Sequence, residues 1–357
     1  MTTPAILALS TGVPEPRYEQ MEFAEYFIAL QRKESRRTRA MRMVFQRSGV
    51  GWRHFAADKI FFQDERSTME RNDLYMREAV PLGEATIRRG LDTAGYKPTD
   101  IDDLIVVSCT GFAIPGLDLH LAARLGMRHD LQRTCILGMG CYGAFPGLVR
   151  ARQSVESQPG RLALVLALEL CSVHMQFNDT TENVISSALF SDGAGMALVG
   201  FPPVGNATDN PTPYPRLVQA ATQCDYQTFE HMSFTISDTG FRMYLSSYVP
   251  ELLGAHIAPF IDGLLAKAGL TRAEVAHWGI HPGGSTIIDH VQRSLGLADK
   301  QVEVSHHILH EYGNMSSATI LFVLEYIQRC NKPQPGDYGV LMAFGPGLTM
   351  EGLLLQW

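Results

Sequence analysis

Along the 357 residues, stretches that are apolar without interruption alternate with stretches whose apolar residues recur at helical spacing. Residues 104–108 and 162–168 are of the first kind. A strand with one wet face alternates apolar and polar side chains, so unbroken runs of this length predict strands covered on both faces by helices. Residues 148–155 and 320–327 are of the second kind, and each follows a glycine-led turn, Gly140-Cys141 in one case and Gly313-Asn314 in the other. Covered strands alternating with helices predict a layered α/β architecture, two sheets with helices between and outside them.

The two turns belong to a longer repetition. Ala94-Gly95 precedes a strand-like LIVVS and Ala268-Gly269 a strand-like WGIH, while Gly160 precedes RLALVLALEL and Gly336 precedes YGVLMAFG. These pairs and the pair of turns keep one order and a nearly constant separation, which predicts two similar halves. Residues 202–215 hold five prolines together with Gly205 and Asn206, so neither a strand nor a helix continues through them. The division falls there, giving residues 1–205 with one turn and 206–357 with the other.

A content of 45% hydrophobic and 19% charged residues is ordinary for a globular chain. The formal charge of -7 and pI near 5.9 argue against general nucleic-acid binding, which needs a basic face. Charge changes the picture in one place. Arg32, Lys33, Arg36, Arg37, Arg39, Arg42, Arg47 and Arg53 crowd into one short segment able to hold a polyanion. The six cysteines show no CxxC pairing and are too sparse for a disulfide framework, so a reducing compartment is expected. With no basic n-region at the start and no apolar run of spanning length, a cytoplasmic protein without a membrane segment is expected.

Three residues stand where chemistry gathers. Cys141 lies in Gly-Met-Gly-Cys-Tyr-Gly, a turn entering a helix. The partial positive charge of a helix N-terminus favours a thiolate, so Cys141 is either a nucleophile or one of the small buried hydrophobes that most core cysteines are. His281 closes the strand WGI before Pro-Gly-Gly-Ser, at the kind of strand end where α/β sites assemble. Asn314 is the repeat partner of Cys141 and is either an N-cap or an amide donor facing the thiol. The repeat brings the two helix starts together. Ala343-Phe344-Gly345-Pro346-Gly347 follows the last long strand, and its glycines permit close approach of a ligand or simply make a turn.

With these motifs in view, the chain resembles the type III polyketide synthases, the chalcone-synthase-like branch of the thiolase fold. The likeness rests on GCYG at Cys141, ALFSDGAG at Phe190, HPGG at His281, YGNMSSA at Asn314 and FGPGLT at Phe344, in the family's order. It implies a duplicated thiolase-like αβαβα fold with two mixed five-stranded sheets. It also implies that Cys141 takes an acyl group from a starter acyl-CoA while His281 and Asn314 hold malonyl-CoA through decarboxylation. CoA thioesters are then substrates, and no metal or other cofactor is called for.

The resemblance further implies a cavity lined by Phe190, Thr110, Ile114, Cys171, His174, Phe234, Met243, Ser316, Gly345 and Pro346. Phe190 matches the gatekeeper between CoA tunnel and cavity. Met243 stands where plant members have phenylalanine, and Phe234 where they have glycine. His174 replaces the second cysteine of a CSxC stretch, either to donate to a polyketide carbonyl or as a satisfied buried histidine. Ile114-Pro115 matches a loop that crosses a dimer interface, implying a homodimer. Arg47, Arg42 and Arg39 correspond to CoA-phosphate ligands or to a solvated helix face.

The nearest alternative is a β-ketoacyl-carrier-protein synthase III-like enzyme, which performs a single condensation with the same three residue types. A thiolase needs a second cysteine near the C-terminus, and none follows Cys330. A papain-like protease orders Cys, His and Asn similarly but places its cysteine near the mature N-terminus.

Overall fold

The computed structural model describes residues 3–31, 37–203, 213–229, 232–245 and 249–357. In chain order the strands are β1 (Ala5–Gly12), β2 (Arg17–Glu19), β3 (Trp52–His54), β4 (Asp103–Val107), β5 (Gln132–Ile136), β6 (Ala163–Leu170), β7 (Asp192–Gly200), β8 (Arg216–Cys224), β9 (Met232–Ser237), β10 (Gly240–Leu245), β11 (Val275–Ile280), β12 (Tyr338–Gly345) and β13 (Thr349–Gln356). The α-helices are α1 (Gln20–Leu30), α2 (Thr38–Arg47), α3 (Thr68–Ala94), α4 (Leu117–Leu125), α5 (Ala144–Ser157), α6 (Thr181–Leu189), α7 (Val249–Ala266), α8 (Ser285–Leu295), α9 (Asp299–Tyr312) and α10 (Thr319–Tyr326).

Nine strands form one mixed sheet in the order β11-β12-β13-β8-β1-β7-β6-β4-β5. Two separate five-stranded sheets are therefore not what the backbone builds. The two sets of strands meet at β1 and β8, which pair antiparallel at Ala5 and Arg216. The Ile6 N–H donates to Pro215 O at 2.9 Å and the Leu217 N–H to Pro4 O at 2.8 Å, so hydrogen bonding runs on through the seam. On either side of it the order repeats: β4 is parallel to β6, which is antiparallel to β7, and β11 is parallel to β12, which is antiparallel to β13. Among the described residues, β5 on the first side has no counterpart on the second. Most of the proline-rich connection, residues 204–212, lies outside the described residues.

The unbroken apolar runs have the expected cause. In β6, Ala163, Val165 and Ala167 enter a central cluster with α5 and α10, while Leu164, Leu166, Leu168 and Leu170 enter a second cluster under α1 to α4. In β12, Leu341 and Ala343 share the central cluster, whereas Val340, Met342 and Phe344 pack with α7, α8 and α9. Each strand face is dry, and truncating one of these leucines to alanine costs about 2–5 kcal/mol. The central helices thus stand between the two wings of the sheet, and the turns that open them end side by side.

Candidate active site

Gly140 has φ +69, and a Cβ there would meet Pro346 Cδ at 2.8 Å, so only glycine lets the chain turn here. The turn is a short 3-10 segment, Gly140–Tyr142, and α5 proper begins at Ala144. Cys141 therefore precedes the helix instead of capping it. Burial dominates its chemistry and pushes the thiol up to about 11, with the side chains of Ser316 and Asn314 against the sulfur pulling the other way. The thiolate expected at a helix N-terminus is not the resting form, because desolvation outweighs the dipole.

His281 follows β11, and its backbone N–H donates to Met342 O at 2.8 Å. Its side chain is 1% exposed, and among the described residues neither ring nitrogen has a hydrogen-bond partner. Burial pushes it down to about 3, so it is a neutral imidazole. Asn314 does two things at once. Its Oδ1 accepts from the Ser316 N–H at 2.8 Å, which caps the following turn, while its amide nitrogen lies against the Cys141 sulfur and reaches Gly283 O at 3.4 Å. The cap and the donor facing the thiol are thus the same residue. Ser316 sits at φ +48, a strained conformation that this cap helps to hold.

Cys141, His281 and Asn314 line one cavity of about 790 Å³, together with Phe190, Phe234, Met243, Phe344 and Pro346. A second space of about 50 Å³ lies beside it, lined by Cys109, Thr110, Cys171, His174, Phe241 and Ser316, among others. Phe190, Phe234 and Met243 belong to both walls, so they form the partition. Phe234 and Met243 are direct cross-strand partners on β9 and β10, and the Phe234 ring meets Phe190 edge to face at 6.4 Å. Gly345 lines neither space. A Cβ on it would strike the Tyr142 ring at 2.5 Å, so what approaches this glycine is the turn carrying Cys141 and not a ligand. Ile114 is 85% exposed and lies outside both linings.

His174 is held by three contacts. Its Nε2 lies 2.7 Å from Thr110 O, its Nδ1 accepts from the Phe241 N–H at 3.3 Å, and its ring stacks on Phe241 at 3.9 Å. Both nitrogens are taken, the arrangement of a satisfied buried histidine, and the residue still lines the small space. The sequence reading missed Glu169, the penultimate residue of β6, which is fully buried and accepts from Ser317 Oγ at 2.5 Å, Thr110 Oγ1 at 2.8 Å and the Cys109 N–H at 3.0 Å. Burial raises its pKa, and those donors oppose the rise. A lone acid near the end of an otherwise apolar strand was the available signal.

The arginine-rich segment does not act as one surface. Arg32, Lys33 and Arg36 lie outside the described residues. Arg42 is paired with Glu25 of α1 at 2.6 and 2.8 Å, and Arg39 is exposed. Arg53 is wholly buried. Arg47 joins Ala40, Met43 and Val44 on the face of α2 that lines the large cavity. Among the described residues, no group of three or more His, Cys, Asp or Glu is placed to hold a metal ion, and no helix is long and apolar enough to cross a membrane.

Residues 2–203 match the family of chalcone and stilbene synthases, N-terminal domain, and residues 216–357 the corresponding C-terminal domain. The chain is 32% identical over 354 residues to 1,3,6,8-tetrahydroxynaphthalene synthase of Streptomyces peucetius subsp. caesius, covering 99% of this chain and 93% of that protein. It is 31% identical to 3,5-dihydroxyphenylacetyl-CoA synthase of Streptomyces toyocaensis, covering 99% and 90%. The fold is similar to that of PKS-I from the brown alga Ectocarpus siliculosus, with TM-score 0.92 at 32% identity over 100% of this chain and 98% of that one. An α/β fold of this kind, with a thiol, an imidazole and an amide on one cavity, defines a condensing enzyme of the thiolase-fold class. The chain belongs to the chalcone and stilbene synthase family and is a type III polyketide synthase, an acyltransferase that performs iterative Claisen condensation on CoA thioesters. The choice between iterative and single condensation falls accordingly.

Proposed function

We propose that Cys141 carries the acyl chain and that His281 and Asn314 hold the malonyl thioester carbonyl while it loses CO2. One observation carries this reading: on the cavity shared with Cys141, neither His281 ring nitrogen has a hydrogen-bond partner among the described residues, and the Asn314 amide nitrogen lies against the Cys141 sulfur with only a loose 3.4 Å contact to Gly283 O besides. Decarboxylation moves negative charge onto the thioester oxygen, and two donors in a dry site stabilise the enolate that results. A neutral His281 on the same cavity as a neutral thiol is also the base available to Cys141. Proton transfer between them leaves the net charge of the cavity unchanged, so it avoids burying an isolated ion. The enolate carbon then attacks the acyl-Cys141 carbonyl and the Cys141 thiolate leaves, giving a lengthened chain on CoA; Cys141 attacks that thioester in turn, free CoA departs, and the chain is back on Cys141 for the next round.

The starter follows from space. Beyond the Phe190, Phe234 and Met243 partition there is only about 50 Å³, which suits a short acyl starter and few extensions before cyclisation to a pyrone or a phenolic ring of resorcinol type. The relatives carry names with a tetrahydroxynaphthalene and a dihydroxyphenylacetyl-CoA product, both ring systems. Arg47 at the large cavity is the phosphate ligand for CoA, with Arg39 on the same helix as a second cation. The exposed Ile114, Phe112 and Leu137 suit a homodimer contact, the six free thiols suit a reducing cytoplasm, and the seam between β1 and β8 suits a division into residues 1–205 and 206–357.

Incubation with malonyl-CoA and acyl-CoAs of graded length, with products read by mass spectrometry, tests this. Short starters should give cyclised products that Cys141→Ala abolishes. Full-rate malonyl-CoA decarboxylation in the double variant His281→Ala, Asn314→Ala would remove the assigned roles, and a preference for long-chain starters would remove the volume argument.

A further inference from the structure

The last turn of α6 is held in an unusual way. The final carbonyls of a helix have no partner within it and form the negative end of its dipole. Here Arg53 of β3, 0% exposed, donates from Nη1 to Ser187 O and to Phe190 O (3.2 Å), and from Nη2 to Ala188 O (2.6 Å) and to Gln20 Oε1. Gln20 is itself buried and donates to Ala188 O at 2.9 Å. The one carbonyl of this turn that the pair leaves, Leu189 O, accepts the Asn314 N–H at 2.9 Å, and the Ser191 N–H donates back to Asn314 O at 2.9 Å. A single turn is thus clamped between a buried cation and the backbone of Asn314. Leu189 and Phe190 project from that turn into the large cavity.

The means are more costly than a helix end requires. A cap can be made by water or a short polar side chain, whereas an arginine buried without an ion pair carries a large desolvation cost. No described carboxylate is within ion-pair distance of Arg53, which instead lies 5.3, 5.9 and 5.6 Å from the rings of Phe23, Phe45 and Phe55. Burial pulls it down to about 9 with Asp192 opposing, so it stays a cation at neutral pH. A flat guanidinium reaches four acceptors in fixed directions, which an ammonium cannot.

We propose that Arg53, seated by Gln20, is a positioning residue that sets the Phe190 gate and the Asn314 donor in register with each other. The proposal rests on the roles given above to Phe190 and Asn314. It makes the gate and the oxyanion site one mechanical unit, so loosening the clamp disturbs extension number and decarboxylation together.

The test is Arg53→Lys, which keeps the charge and loses the fork, with Gln20→Met as a second variant should the first fold poorly. We expect kcat for starter-free malonyl-CoA decarboxylation to fall roughly 10- to 100-fold, as for a displacement approaching 1 Å, with KM for malonyl-CoA nearly unchanged. The ratio of shorter to longer products should shift in the same variant. Hydrogen exchange should quicken together in peptides covering residues 186–191 and 313–317. A lowered melting temperature with kcat, product ratio and exchange at 313–317 all unchanged would make Arg53 purely structural and overturn the proposal. Failure of the underlying reading looks different: wild type and Asn314→Ala would decarboxylate alike, while the exchange coupling would still decide for or against the clamp.

Discussion

Replacing Asn314 by aspartate exchanges one NH2 for an oxygen and leaves the shape of the side chain alone. The oxygen that accepts from the Ser316 N–H at 2.8 Å remains, so the turn into α10 keeps its cap. What goes is the donor, which lies against the Cys141 sulfur and otherwise reaches Gly283 O at a loose 3.4 Å. Removing one donor from an oxyanion site lowers kcat by about 10²–10³, or about 2.7–4 kcal/mol in the barrier. Asn314→Asp should therefore lose malonyl-CoA decarboxylation by that factor with little change in melting temperature. Asn314→Ala should lose a similar factor and, with the cap gone, about 0.5–2 kcal/mol of stability as well. The assay is conversion of malonyl-CoA to acetyl-CoA without starter, followed by chromatography, beside urea unfolding of the same preparations. Lowering the pH should partly restore Asn314→Asp, because a protonated carboxyl donates where a carboxylate repels. Both variants decarboxylating within about threefold of wild type would refute the donor assignment, since a threefold change is far below what such a donor supplies.

Other outcomes follow from single contacts. Arg47→Glu should raise the malonyl-CoA KM at least about tenfold through lost phosphate pairing, whereas Arg42→Ala, already paired with Glu25, should move it little; steady-state kinetics separate the two. His174 is pushed down to about 4 by burial, so the unfolded chain takes up a proton that the folded one refuses, and stability present above pH 6.5 is lost as pH falls toward 4. His174→Gln, which can keep both hydrogen bonds, should reduce that slope by up to about 1.4 kcal/mol per pH unit in urea titrations between pH 4 and 6.5. Glu351 runs the opposite way. Burial pushes it up to about 7 and Thr222 opposes, so stability falls as pH rises from about 4.5 to 7, and Glu351→Gln should gain up to about 3 kcal/mol over wild type at pH 8 by urea midpoint.

Much of this architecture is readable in one dimension because dry strands and amphipathic helices obey local periodicities. The runs at 104–108 and 162–168 became β4 and β6, and the turns before residues 148 and 320 became the openings of α5 and α10. Where the strand sets meet was not readable, because the contact joining β1 to β8 is made by backbone groups, which carry no sequence signature. The segment from Arg32 to Arg53 shows the same limit from the side of charge. Eight cations look alike in a string, yet Arg47 faces the cavity, Arg42 is paired and Arg53 is buried under phenylalanine rings.

By itself the sequence determined the chemistry on offer: a thiol, an imidazole and an amide, each at a turn that glycine makes possible, on a repeated α/β plan. Only the tertiary structure decided the state of those groups. Periodicity and motif record which atoms are present, while protonation and donor availability depend on what surrounds them. Burial made Cys141 a thiol and His281 a neutral ring, the Ser316 N–H took the oxygen of Asn314 and left its amide nitrogen facing the thiol, and Thr110 and Phe241 closed both nitrogens of His174.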